Sequence, residues 1–280
     1  MIRIPTDFER ARFEALCRKH SSFEVRGGEF DGIGIYNEKR LHRILKEFVC
    51  EDESCFEVRL GGAVADVLCD GVVSEIQTGG FYPLKKKIAA YLAEENVKVR
   101  IIHPAVCERT IVRVDPVTAE VLYAKKSPKK ESALKILPEL VYLSEHLLSE
   151  RLSFEVFSVR AEEHRYSDEI HRRRKSGRRD SELFPTSLES VTVIESREDL
   201  LFLLPDELTK SDTPFTAADF QRLTKLRGRR GYSALGALCA AGVLTKQKEG
   251  RSAARYSVAG EIKKEGLSLC ILNGEFNFLT

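Results

Sequence analysis

The chain predicts an α/β protein, a mixed sheet flanked by helices with a C-terminal winged-helix domain behind it. Three observations carry this reading. Short apolar runs at residues 56–60, 63–69 and 72–77 are separated by glycine-containing turns. Helix-period segments precede and follow them, which favours helices packed on a sheet. Near the C-terminus, two helical segments are followed by a pair of strands around a basic tip. The 280 residues, 42% hydrophobic and 31% charged, suit a soluble globular chain with room for an ordinary domain and a smaller one.

Taken in order, residues Asp7 to His20 read as a helix with Phe8, Ala11, Phe13, Leu16 and Cys17 on one side. Gly27-Gly28 and Gly32-Ile33-Gly34 then interrupt regular structure. Asn37 is an N-cap for a helix whose apolar stripe is Leu41, Ile44, Leu45 and Phe48. After the three strand runs, a lysine-rich helix is expected from Pro83 to about Glu95, then a strand from Val97 to His103. Asp115-Pro116 marks a turn between Thr110–Val114 and Val121–Tyr123. Ser127-Pro128-Lys129-Lys130 precedes an expected helix through Leu147, and a buried strand is expected at Phe154–Val159. Thr216 with Asp219 forms a capping-box pattern, and a second helix runs from about Arg230 to Ala241 with Leu235 and Leu238 inward. Ser196–Leu204 would be the first helix of this unit. The resulting division is an N-terminal extension (1–35), an α/β core (36–160), a basic linker or insertion (161–195) and the winged helix (196–280).

The most informative stretch is the hairpin Ala65–Thr78. Asp70-Gly71 is a strong two-residue turn signal. It sets Cys69 opposite Val72, Leu68 opposite Val73, and Asp66 opposite Glu75. Two carboxylates facing each other across a ladder, roughly 5 Å apart, destabilise a strand pair unless something neutralises them. A second turn at Gly61-Gly62 would set Glu57 beside Asp66, and Gln77 projects from the same face as Glu75. Such a row of carboxylates is an oxygen cage for Mg²⁺ or Mn²⁺. Cys50 and Cys55 with His42 nearby are read against zinc, because no second ligand pair with finger-like spacing follows. His103, His146 and His164 stand singly and are read as core or surface residues.

Asp66, eight residues, then Glu75-Ile76-Gln77 resembles the PD-(D/E)XK nuclease superfamily, in a variant where Gln77 replaces the usual lysine. The stretch from Gln77-Thr78-Gly79-Gly80-Phe81 to Lys85-Lys86-Lys87, the later Ser-Pro-Lys-Lys and the C-terminal winged helix are similar to prokaryotic relatives of that kind. The resemblance implies a restriction-endonuclease-like fold and hydrolysis of DNA phosphodiesters with Mg²⁺ or Mn²⁺. It implies Asp66, Glu75 and the Ile76 carbonyl as metal ligands. A third acid comes from the preceding helix or strand: Glu38, with Glu57 as its rival and Glu47 a weaker candidate. Lys85 or Lys87 would supply the cation that Gln77 lacks, Lys85 being preferred as the earlier in its helix. A homodimer is compatible with this class.

Net charge is only +2, but its distribution is uneven. Basic clusters run through His171–Arg179, through Lys225, Arg227, Arg229 and Arg230, and through Lys246, Lys248, Arg251 and Arg255. Arg227, Arg229 and Arg230 at the head of the second helix, and Lys246, Lys248 and Arg251 on the wing, are the expected DNA contacts. Lys125, Lys126, Lys129 and Lys130 are further phosphate candidates. Seven cysteines without a CxxC pair point to a reducing cytoplasm, and no run of about 18 apolar residues points to a membrane.

Overall fold

The chain begins with a two-residue strand β1 (Ile2–Arg3) and the helix α1 (Asp7–Lys19), which starts with a capping box between Thr6 and Glu9. Glu9 is buried there and takes Arg3 Nη1 at 2.7 Å, while Phe13 and Cys17 face inward and Phe8 is exposed. The computed structural model describes residues 1–20, 36–115, 118, 120–166, 181–210, 213–248, 250 and 252–260. The second helix, α2 (Tyr36–Val49), buries the stripe Leu41, Ile44, Leu45 and Phe48 expected from its periodicity.

Three antiparallel strands follow: β2 (Phe56–Leu60), β3 (Ala63–Cys69) and β4 (Val72–Ile76). The helix α3 (Leu84–Ala93) then crosses over to β5 (Lys98–Val114), which lies parallel to β4. A crossover helix between parallel strands is what a parallel pair requires. The exposed strand β6 (Val121–Lys126) folds back on the far half of β5. The long strands β7 (Leu152–Tyr166) and β8 (Ser181–Ile194) complete an eight-stranded mixed sheet, ordered β1-β8-β7-β5-β4-β3-β2 with β6 on β5. α1 and α2 cover one face through Phe13, Phe48, Phe157 and Val191. Phe13 and Phe48 meet edge to face at 5.4 Å, and Phe48 meets Phe157 at 6.0 Å.

Three expectations are corrected. The helix expected after Lys130 and through Leu147 is absent; two 3₁₀ turns, Ala133–Ile136 and Leu140–Leu143, take its place. Pro138 between them removes an N–H and clashes with the preceding turn, so an α-helix cannot run through it. Residues 161–166 and 181–194 are sheet strands, so the expected linker is mostly core; its basic stretch 167–180 lies outside the described residues. The described part of the N-terminal extension, residues 1–20, also joins the core: β1 pairs with β8, and Phe13 and Cys17 are buried. The Gly27–Gly34 segment lies outside the described residues.

After β8 come α4 (Arg197–Phe202), α5 (Asp206–Thr209), β9 (Phe215–Thr216), α6 (Ala217–Thr224) and α7 (Arg229–Ala240). Ser196 with Asp199 and Thr216 with Asp219 form capping boxes at the heads of α4 and α6. β10 (Leu244–Gln247) and β11 (Arg255–Val258) form a hairpin, and β9 pairs with β11. Phe220, Leu235 and Leu238 belong to the same apolar cluster as Phe81, Ile88 and Phe154 on the second face of the large sheet. The C-terminal elements therefore share a core with the α/β part. Among the described residues, no helix is long and apolar enough to cross a membrane.

α6 and α7 meet at Gly231, where a Cβ would fall against Leu226 O and 2.5 Å from Gln221 Cγ. Gly236, in the same helix, has open space around it. Gly231→Ala should cost about 2 kcal/mol through overpacking, whereas Gly236→Ala should gain about 0.5–1 kcal/mol in helix propensity. Urea denaturation of the two variants checks this; equal shifts would contradict the close packing.

Candidate active site

The turn forms as its residues dictate: Asp70 and Gly71 take φ of 49° and 75°, the double left-handed conformation of a type I′ hairpin. Cys69 pairs with Val72, Leu68 with Val73 and Val67 with Ser74. One step further, at Asp66 and Glu75, the ladder gives way to side-chain chemistry. Asp66 Oδ2 accepts the Ile76 N–H at 2.8 Å and His42 Nε2, from α2, at 3.1 Å. Glu75, only 2% exposed, takes Lys87 Nζ on Oε2 at 2.6 Å and the Tyr91 hydroxyl on Oε1 at 2.9 Å. Both Lys87 and Tyr91 come from α3, one helical turn apart.

The two acids have opposite electrostatics. Burial works to raise the Asp66 pKa, but the His42 and Ile76 bonds and the Lys87 charge outweigh it and hold the carboxyl below its usual range. Burial and then the negative charge of Asp66 push Glu75 up, against the pull of Lys87 and Tyr91. A carboxylate pair split in this way gives its first proton to Glu75.

The other expected site residues fall as follows. Gln77 is pinned: its N–H donates to Ile102 O at 2.8 Å, its carbonyl takes His103 Nδ1 at 2.6 Å, and its side-chain Nε2 donates to Gly80 O at 2.6 Å. Lys85 pairs with Glu145 at 2.9 Å, so Lys87 and not Lys85 is the lysine on Glu75. Glu57 does not join the row. Its φ of 54° breaks the strand alternation, and its carboxylate bonds Lys46 while 62% exposed. Glu47 is bound by Lys19, His20 and Arg43. Those bonds outweigh its burial and lower it to about 2. Glu38 lies in α2 one turn before His42, the residue that touches Asp66, and its side chain lies outside the described residues.

A cleft of ≈ 220 Å³ opens at this end of the sheet, lined by Leu41, Thr78, Pro104, Arg109, Glu131 and Lys135 among others. It exists because β4 stops at Ile76 while β5 runs on. Pro104 faces the same side as Ile102, past the end of β4, where its missing N–H costs no ladder bond. Glu131 N–H bonds Val106 O at 2.9 Å and Ser127 N–H bonds Arg109 O at 2.8 Å, so the Lys129-Lys130 segment runs along this open edge. Lys129 and Lys130 are exposed there, with Lys129 Nζ 3.8 Å from Glu131. Lys125 lies over the Tyr123 ring and Lys126 pairs with Glu108. Arg227, Arg229, Arg230, Lys246 and Lys248 are exposed, and Arg251 lies outside the described residues.

Fold and site together define an α/β protein with two unlike carboxylates at one end of a mixed sheet and, past the end of β4, a cleft that Arg109, Glu131 and Lys135 help to line. Residues 39–195 match the family described as "Domain of unknown function (DUF8091)", and the chain belongs to that family. The matched segment runs from within α2 past the end of β8 and includes both acids. An "Uncharacterized protein" of Treponema pallidum (strain Nichols) is 32% identical over 131 residues, 46% of this chain and 51% of that protein. The chain thus spans about half the length of this relative. No solved structure matches the chain.

Sequence reasoning gave His42 and Tyr91 no part in the site, and His103, read as a core or surface residue, lies in the core. His42 and Tyr91 each sit one helical turn from a residue already singled out (Glu38 and Lys87), and that spacing was the available signal. His103 is 1% exposed, and its Nδ1 must carry the proton given to the Gln77 carbonyl. Its Nε2 has no partner among the described residues. Burial, and then the Lys135 charge, push it down to about 4. The unfolded chain therefore takes up this proton near the ordinary pKa of 6.5 and the folded one only near 4. This contribution to stability is complete above pH 6.5 and is lost as pH falls toward 4, by up to about 3 kcal/mol. Denaturation midpoints of wild type and His103→Asn at pH 7 and pH 4.5 test it. The variant should lose clearly less stability on acidification.

Proposed function

We propose that this chain is a divalent-metal-dependent nuclease hydrolysing DNA phosphodiester bonds, of the PD-(D/E)XK kind. The observation that carries the reading is the juxtaposition of Asp66 and Glu75 across one hairpin with Lys87 at 2.6 Å from Glu75. Two carboxylates on adjacent strands are a hard, all-oxygen donor set that fits Mg²⁺ or Mn²⁺. The order α2-β2-β3-β4-α3-β5, with β4 and β5 parallel, supports a restriction-endonuclease-like core. The order α4-α5-β9-α6-α7-β10-β11, with sheet order β10-β11-β9, supports a winged helix-turn-helix whose recognition helix is α7.

Asp66, Glu75 and the Ile76 carbonyl would hold the metal, which when bound supplies an acidified water and a counter-charge for the phosphate. The chain's own groups do the rest. His42 and the Ile76 N–H orient Asp66, and Tyr91 orients Glu75. Lys87 is the cation that balances negative charge developing on the phosphate, in place of the lysine that Gln77 cannot supply. The Gln77 carbonyl bond to His103 fixes the end of β4. Arg230 is close enough for its charge to act on His103, which supports the basic head of α7 lying toward the same end of the sheet. Arg227, Arg229, Lys246, Lys248, Lys129 and Lys130 would contact phosphates.

A second reading, a DNA-binding protein without catalysis, is favoured by one observation: the Gln77 side chain is committed to Gly80 O. Incubation with single-stranded, duplex and branched DNA under Mg²⁺ or Mn²⁺ separates the two. Cleavage should occur in wild type and fall by about 100-fold or more in Asp66→Ala, Glu75→Ala and Lys87→Met, while Lys85→Met retains most of it. Cleavage indifferent to all three changes would overturn the proposal. Binding without cleavage in every metal, weakening steeply with salt, would establish the second reading.

A further inference from the structure

Three of the six described cysteines lie together, although the sequence separates them. Cys50 ends α2, its N–H bonded to Lys46 O at 3.1 Å. Cys55 closes the 3₁₀ turn Glu53–Cys55, which Asp52 opens through a 2.8 Å bond to Ser54 N. Cys69 ends β3 beside the hairpin turn. Their Sγ atoms all lie within 4.8 Å of one another, and none is in a disulfide. Cys50 is buried; Cys55 and Cys69 are half-buried, which leaves a way in from solvent.

We propose that Cys50, Cys55 and Cys69 are a three-thiolate site for zinc. Thiolates select a soft or borderline cation over magnesium or manganese. Zinc–sulfur bonds of about 2.3 Å in a tetrahedron set the sulfurs about 3.8 Å apart, so the cluster closes with a contraction of about 1 Å or less. The carboxylate of Asp70, with Oδ2 3.3 Å from Cys69 Sγ, is the oxygen nearest the fourth position. On binding, the three thiols release their protons to solvent and the sulfurs each donate a pair to the metal. The ligands come from a helix end, a turn and a hairpin. The role is therefore structural: it fastens the end of α2, the helix that carries His42, to the hairpin that carries Asp66. This site is separate from the carboxylates and does not rest on the nuclease reading.

The test uses the full chain, purified reduced and stripped of metal, titrated with Co²⁺ and then Zn²⁺. Wild type should bind about one cobalt with thiolate charge-transfer absorption and tetrahedral d–d bands, and zinc should displace it. Cys55→Ser and Cys69→Ser should lose the signal, while Cys239→Ser keeps it. Should the serine variants misfold, alkylation of native wild type decides: zinc should protect Cys50, Cys55 and Cys69 and leave Cys239 reactive. A reduced wild type with no cobalt–thiolate absorption in severalfold excess metal would overturn the site. So would alkylation of the three cysteines unchanged by zinc.

Discussion

A tight type I′ turn at Asp70-Gly71 sets a register in which two carboxylates must share one small space. That constraint organises the surrounding structure. Glu75 is buried to 2% exposure, and taking a carboxylate out of water costs several kcal/mol before any repulsion from Asp66 is counted. Both faces of the sheet contribute to the answer. From one side α3 supplies Lys87 and Tyr91 to Glu75; from the other α2 supplies His42 to Asp66. The strand itself gives up a ladder bond, so that the Ile76 N–H caps Asp66. Helices whose apolar faces bury Leu84, Ile88, Leu41 and Ile44 are thereby held at a fixed rotation by polar contacts at their edges.

The second constraint is the unequal length of neighbouring strands. β5 has 17 residues and β4 has five, so between the end of β4 and the β6 pairing that starts at Thr110 one edge of β5 has no strand against it. An open edge within a sheet exposes backbone groups that need partners. Here Pro104 removes one donor, the Glu131 side chain takes the Val106 N–H, and the backbone of Ser127 and Glu131 meets the carbonyls of Arg109 and Val106. The cleft beside the acids is therefore a product of strand length and not of loop insertion. Glu131 in turn binds Lys135 at 2.8 Å, which balances a carboxylate lodged in the cleft wall.

Much of this was legible in the sequence, for physical reasons that differ by element. The hairpin register followed from a turn whose chemistry admits one geometry, and the capping box at Thr216 from hydrogen bonds made within four residues. Both are local. The failures were non-local. Lys85 is preferred as the earlier in its helix, but the packing of Tyr91 and Ile88 against the sheet turns Lys87 to Glu75 and leaves Lys85 with Glu145. Glu57 obeyed the expected pairing of β2 with β3 in its neighbours, yet its positive φ turned the side chain to Lys46. The helix expected through Leu147 failed at Pro138, a signal present in the sequence and outweighed there by apolar periodicity. The cysteine cluster was invisible because its third member sits in a different element from the first two.

On the nuclease reading proposed above, the position of Lys87 also accounts for how a glutamine is tolerated after Glu75-Ile76. A lysine on the strand two residues beyond the acid would share its face permanently. A lysine on α3 approaches the same carboxylate from the helix, on a long flexible stem that is 29% exposed. It can neutralise Glu75 while no other cation is present, and can turn toward a phosphate once Glu75 has another partner. Glu75, the acid with the raised pKa, is the one that carries this lysine; Asp66 is already satisfied by fixed dipoles and a histidine. The exchangeable charge thus sits on the side of the pair where charge is most costly. A glutamine at position 77 is then free to act as a clasp, closing the Thr78–Gly80 turn through Gly80 O and fixing the strand end on which both acids depend.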